Sequence, residues 1–238
     1  MNNRLYIIDF IRGCAIIMMV IFHIFLSFNL FNNTNYNLNT GILNLFGIIS
    51  RNIFIFLSGI SLYLSYKNSK KKQFLRKQIN RLISIFIFSV IVTILSYTVL
   101  PNKYIIFGIL HYMFVSLLIL VLYLNFFNTK YLYNFLGLAL LFKNIELSPD
   151  IIFNNNYFNN YFGHTLGFNP YYKNTIDYFP LKNWLYKSIL GIIFASYISL
   201  EKKTNINYFK NNSITKLGKN SLFIYIFHLP IIYFINKL

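Results

Sequence analysis

Hydrophobic positions along this chain collect in long runs broken by short polar segments. The runs cover about 4–28, 42–66, 82–100, 104–126, 131–142, 183–200 and 220–236. Most approach the roughly 20 residues that a membrane-crossing helix needs. The pattern predicts an all-α, polytopic transmembrane helix bundle of about seven spans, forming one domain over 1–238. The run at 131–142 is the weakest. Pro101 stops the third span, because proline disfavours helical backbone in the residue before it. The polar breaks are NLFNNTNYNLNTG (29–41), KNSKKKQFLRKQINR (67–81), a short NTK turn, a polar and aromatic stretch at 143–181, and EKKTNINYFKNNSITKLGKN (201–220).

Charge sets the expected orientation. The segment 67–81 carries seven Lys/Arg and no acid. With the N-terminus inside, Arg4, that segment, Lys130 and the five basic residues of 201–219 all face the cytoplasm. Lys103, Lys143, Lys173, Lys182 and Lys237 face outward. This asymmetry follows the positive-inside rule and predicts a multi-pass protein of the cell membrane. The net charge of +17 does not point to nucleic acid, because the basic residues flank apolar spans and part of the lysine excess follows A+T-rich codon usage. The lone Cys14 excludes a disulfide framework and a cysteine-based zinc site, and reads as a small packing residue. The first run, interrupted by Asp9 and Arg12 and followed by no small-x-small site, does not read as a cleaved signal peptide. No internal repeat, Gly-rich phosphate loop, H-E-x-x-H spacing or nucleophile elbow is present, and no metal is expected.

Ionisable residues inside spans are costly there and are candidates for function. Asp9 and Arg12 lie three apart on one helical face and can pair. His23 lies eleven residues after Arg12, back on the same face and roughly 16 Å further along the axis. The structural reading is an ion pair that fixes packing, plus a histidine bonded to a neighbouring carbonyl. The functional reading is a polar path, cationic at the cytoplasmic mouth and histidine-lined toward the outside. Arg51 and His111 fall in the outer halves of their spans, and His228 near mid-membrane. His164 is expected to be solvated. Asp177 either orients a histidine, binds an acceptor, or caps the helix of the sixth span. His228, before Leu229-Pro230, is expected to satisfy local backbone near the Ile226 carbonyl that the proline frees.

The stretch RLYIIDFIRGCAIIMMVIFH resembles the opening of the heparan-alpha-glucosaminide N-acetyltransferase catalytic-domain family. FLSGISLYLSYK (56–67, leading into the basic segment), IIFGILHY (105–112), DYFPLKNW (177–184) and GKNSLFIYIFHLPIIY (218–233) follow in the family's order. The Arg12/His23 spacing is also similar to that of membrane acyltransferases that modify surface sugars. The resemblance implies transfer of an acetyl or other acyl group from cytoplasmic acetyl-CoA to an extracytoplasmic glycan or glycolipid. By motif position it singles out Asp9, Arg12, His23, His111, Asp177 and His228. One departure is that Ser27, with Asn29 nearby, stands where an acid is expected one turn after the first histidine. The resemblance therefore supplies no carboxylate to orient His23.

Acyl transfer from a thioester needs a base for the acceptor proton, donors for the tetrahedral oxyanion and a grip on CoA. His23 is the first candidate for the base and His111 the second, with direct transfer and an acyl-histidine intermediate both open. Arg51 suits the oxyanion or an anionic acceptor, or else a structural ion pair. Arg76, Lys77 and Arg81 suit the CoA phosphates, although topology alone also requires basic residues there. Arg12, paired with Asp9, could line the pantetheine path. The competing readings are a transporter or proton-coupled channel using the same path, and an assembly subunit with structural histidines.

Overall fold

The computed structural model describes residues 5–32, 34–145, 157–168, 175–198 and 209–235. Helices occupy all seven predicted positions, and no strand occurs among the described residues. They are α1 (Tyr6–Phe31), α2 (Gly41–Lys67), α3 (Lys71–Val99), α4 (Ile109–Phe126), α5 (Leu132–Asn144), α6 (Tyr157–Leu166), α7 (Leu181–Tyr197), α8 (Ser213–Lys219) and α9 (Ser221–Ile235). Four of them, α1 to α4, are long and apolar enough to cross a membrane, and the bent pair α8–α9 makes a fifth if it counts as one span. The 13 residues of α5 and 17 of α7 reach about 20 and 26 Å, less than the roughly 30 Å hydrocarbon core.

Three predicted polar breaks contain helix. The basic segment 67–81 is mostly the first three turns of α3, not a loop. Its Lys, Arg, Gln and Leu residues are good helix formers. Phe74, Gln78, Leu82, Ile85 and Ser89 bury one stripe of α3, while Arg76 and Lys77 remain exposed. The stretch 143–181 contains α6, and 201–219 contains α8. Arg4, Glu146, Asp150, Lys173, Lys202, Lys203 and Lys237 lie outside the described residues.

The chain divides into two compact units, one of residues 1–57 and 198–238, the other of 58–197. In the first unit, α8 lies on α1 at backbone contact. A Cβ at Gly13 would overlap the Ile214 carbonyl, and one at Gly218 would overlap the Asp9 carbonyl. Small residues at both points are what allow this approach. At Asn220 the chain turns by 87° from α8 into α9. The connection between α1 and α2 is tied by Asn29, whose side chain bonds both the N–H and the carbonyl of Tyr36 at 2.8 Å. Gly41 then enters α2 at φ +73°, left-handed backbone that glycine tolerates.

In the second unit, Leu62, Phe74, Leu82, Ile85, Leu120 and Ile189 are among the residues of one hydrophobic core. At Gly59, α2 meets α7 so closely that a Cβ would overlap the Ser188 carbonyl. Tyr112 is fully buried and its hydroxyl lies 2.7 Å from Ser188 Oγ, tying α4 to α7. Lys187 has its Nζ 4.0 Å above the Trp184 ring.

Candidate functional site

Within the first unit, α1 carries Asp9, Arg12 and His23. Arg12 donates to Asp9 at 2.9 Å, so the predicted pair forms, and Asp9 is only 4% exposed. His23 Nδ1 lies 2.8 Å from the Met19 carbonyl one turn back. A carbonyl only accepts, so Nδ1 carries a proton, and in the neutral ring the lone pair lies on Nε2. The carbonyl takes the orienting role for which the sequence offers no acid. Ser27, at the position of the expected acid, donates to the Ile24 carbonyl at 2.7 Å.

His228, on α9, meets His23 edge to face, with ring centroids 4.8 Å apart and planes at 83°. Its Nδ1 lies 2.7 Å from the Tyr225 carbonyl, fixing the same tautomer. His228 therefore does bond local backbone, but at Tyr225 and not at the expected Ile226. Its Nε2 is buried and has no hydrogen-bond partner among the described residues. Phe22 and Tyr225 flank the pair, with ring centroids 5.5 Å from His23 and His228 respectively. The two rings thus pack edge to face with matched hydrogen bonds, and in its neutral form each keeps its lone pair on Nε2. The pairing could not be read from sequence, because its partners are at opposite ends of the chain. Arg51 is half-buried in α2, with Nε shut off from solvent.

Within the second unit, His111 occupies the first turn of α4. Its Nε2 lies 3.1 Å from Thr93 Oγ1, whose own proton goes to the Ile105 carbonyl at 2.9 Å. Nε2 is therefore the donor, and the buried Nδ1 has no hydrogen-bond partner among the described residues. Asp177 accepts from the Ile109 N–H at 3.0 Å through Oδ2. It thus closes the N-terminus of α4, the helix of His111. The fit is close, since a Cβ at Gly108 would overlap Asp177 Oδ2. Backbone bonds from Phe179 N to the Phe107 carbonyl (3.0 Å) and from Ile176 N to the Lys103 carbonyl (3.2 Å) bring Asp177 there.

His164 is not solvated as expected. It is 1% exposed and stacks on Tyr178 at 4.2 Å, while the Tyr178 hydroxyl donates to the His164 carbonyl at 2.7 Å. Burial pushes the Tyr178 phenol up to about 12, so it stays a donor throughout the neutral range.

Residues 4–230 match the family described as heparan-alpha-glucosaminide N-acetyltransferase, catalytic. The chain belongs to that family. No curated protein and no solved structure matches it. Membership in the N-acetyltransferase family, together with the apolar helices, makes the chain a membrane protein of acyltransferase type. The match spans both histidine clusters, the ion pair of α1 and the basic turns of α3. Arg76 and Lys77 lie in those turns as exposed cations, with Arg81 half-buried one turn further on.

Proposed function

We propose that this N-acetyltransferase family member is a multi-pass enzyme of the cell membrane. It moves an acetyl group from cytoplasmic acetyl-CoA to an amine or hydroxyl of a sugar or glycolipid on the opposite face. The observation that carries this reading is the tautomer of His23. With Nδ1–H held by Met19, Nε2 is the basic nitrogen.

In the proposed reaction, His23 Nε2 takes the acceptor proton as the nucleophile attacks the thioester carbonyl. A C–N or C–O bond forms, and the carbonyl becomes a tetrahedral oxyanion, for which Arg51 is the proposed source of positive charge. Collapse breaks the C–S bond. The imidazolium returns its proton to the CoA thiolate, so the histidine ends neutral and the charges balance. His228 stands beside His23 as a second neutral ring that shields the developing imidazolium from lipid. His111 is the alternative base, placed by Thr93 and by the Asp177 cap. Arg76, Lys77 and Arg81 hold the CoA phosphates. Arg12, held by Asp9, lines the pantetheine path. The whole chain acts as one transferase domain of about seven spans with the N-terminus inside.

The test is acetyl-CoA titration of the purified chain in lipid nanodiscs, together with thiol release in the presence of an amino-sugar acceptor. Saturable binding is expected in the wild type and in His23→Ala, and weaker binding in Arg12→Ala. Thiol release is expected to fall by about 10²-fold or more in His23→Ala. Absence of binding by the wild type would overturn the reading, and ion flux through liposomes without acyl-CoA would replace it with a transport function.

A further inference from the structure

A cavity of about 350 Å³ opens where α2 ends, α3 begins and α4 ends, all within the second unit. It is lined by Tyr66, Lys67, Ser69, Lys71, Phe74, Leu124 and Asn125. We propose that it is a binding site for the headgroup of an anionic glycerophospholipid that carries a hydroxyl beyond its phosphate. The proposal does not depend on the transferase reading.

Four observations lead there. The first is depth. Three helices of bilayer-crossing character terminate or start at the cavity, which places it at headgroup level whichever way the chain is oriented. The second is charge. Lys67 and Lys71 line the cavity. No acid occurs anywhere in 67–81 to neutralise them. Basic pockets between transmembrane helices are suited to lipid phosphates.

The third is an unmet acceptor. Asn125 Oδ1 is buried with no hydrogen-bond partner among the described residues, a costly state that a ligand donor would relieve. A headgroup with both phosphate and hydroxyl meets both demands, whereas choline offers no donor and cancels the phosphate charge. The fourth is the apolar wall. Tyr66 and Phe74 meet at 5.4 Å, and with Leu124 they face what the lysines do not. That combination fits the glycerol backbone and upper acyl chain of a lipid better than a free anion. From the cavity α3 continues with exposed Ile79, Ile83, Phe86 and Ile87, a surface for the acyl chains to follow.

The test is native mass spectrometry of the detergent-solubilised full chain titrated with phosphatidylglycerol or phosphatidylcholine. Retention of one phosphatidylglycerol in preference to phosphatidylcholine is expected. The double variant Lys67→Ala/Lys71→Ala is expected to weaken that binding on the order of tenfold. Asn125→Ala should reduce the preference for phosphatidylglycerol over phosphatidate, which lacks the hydroxyl. Lys72→Ala removes an exposed charge that does not line the cavity and should leave binding within about twofold. Circular dichroism melts confirm that the variants fold. Equal losses from Lys72→Ala and the double variant would overturn the site in favour of diffuse attraction. Binding of adenosine 3′,5′-bisphosphate that the double variant abolishes, with phosphatidylglycerol binding unchanged, would overturn the lipid reading and assign the cavity to a soluble nucleotide.

Discussion

At the scale of single residues, the informative contacts are those between a side chain and a carbonyl of its own helix. His23 and His228 each give Nδ1–H to such a carbonyl, which decides where the lone pair lies. Substituting His228 with Asn should lower turnover without changing acetyl-CoA affinity, seen as a fall in kcat at constant KM for the donor. Asp9 and Arg12 form a pair with one nearly buried member. Asp9→Asn leaves a guanidinium without its carboxylate and should destabilise the chain by about 3 kcal/mol, read from a thermal melt in detergent. Tyr178 gives a pH signature. Its phenol is raised to about 12 by burial, so the folded state favours the neutral form. The corresponding stability is intact below pH 10 and is lost as pH climbs from 10 toward 12. Tyr178→Phe should remove that alkaline component from a melt-versus-pH series.

Single elements are closed by partners that sequence does not announce. The first turn of α4 takes its carboxylate from Asp177, brought in by bonds to 103–107. Asp177→Ala should cost about 1 kcal/mol and reduce activity, while Asp177→Asn, which keeps an acceptor, should recover most of the stability. Comparing the two melts with their kcat values separates placement of α4 from any direct role. The seat of α8 on α1 depends on the absence of two side chains. Gly218→Ala would put a methyl into the Asp9 carbonyl and should destabilise by about 2 kcal/mol, measured by denaturation in mixed micelles. The apolar runs made the position of each long helix readable, because a helix that is buried or faces lipid must be apolar along most of its length. Charge gave 67–81 an expected side of the membrane but not a conformation, since seven basic residues are compatible with both loop and helix. Asp177 was visible as a residue of interest, yet its partner Ile109 was not, because a backbone N–H leaves no mark in sequence.

For the molecule as a whole, orientation is the property on which the proposed chemistry depends most. The donor must meet the basic turns of α3 and the acceptor must meet the opposite face. Cys14 is the sole thiol, so Cys14→Ala gives a clean background for topology mapping. In intact cells, Cys at position 72 should resist an impermeant maleimide and Cys at position 103 should react. The reverse pattern would invert the proposed direction of transfer. The ion pair of α1 was readable from a spacing of three, whereas the facing of His23 and His228 needed the tertiary structure, because long-range pairing is set by how α1 and α9 pack.

The hold on His23 also has a bearing on which mutations this protein tolerates. A carboxylate partner can be erased by one codon change, but the carbonyl of residue 19 exists whatever side chain is encoded there. The same is true of residue 225 for His228. Orientation of both rings is thus insured against drift at the positions that provide it. It is lost only if the local helix itself is broken, so a saturation library at position 19 should retain the ring geometry in variants that preserve the helix.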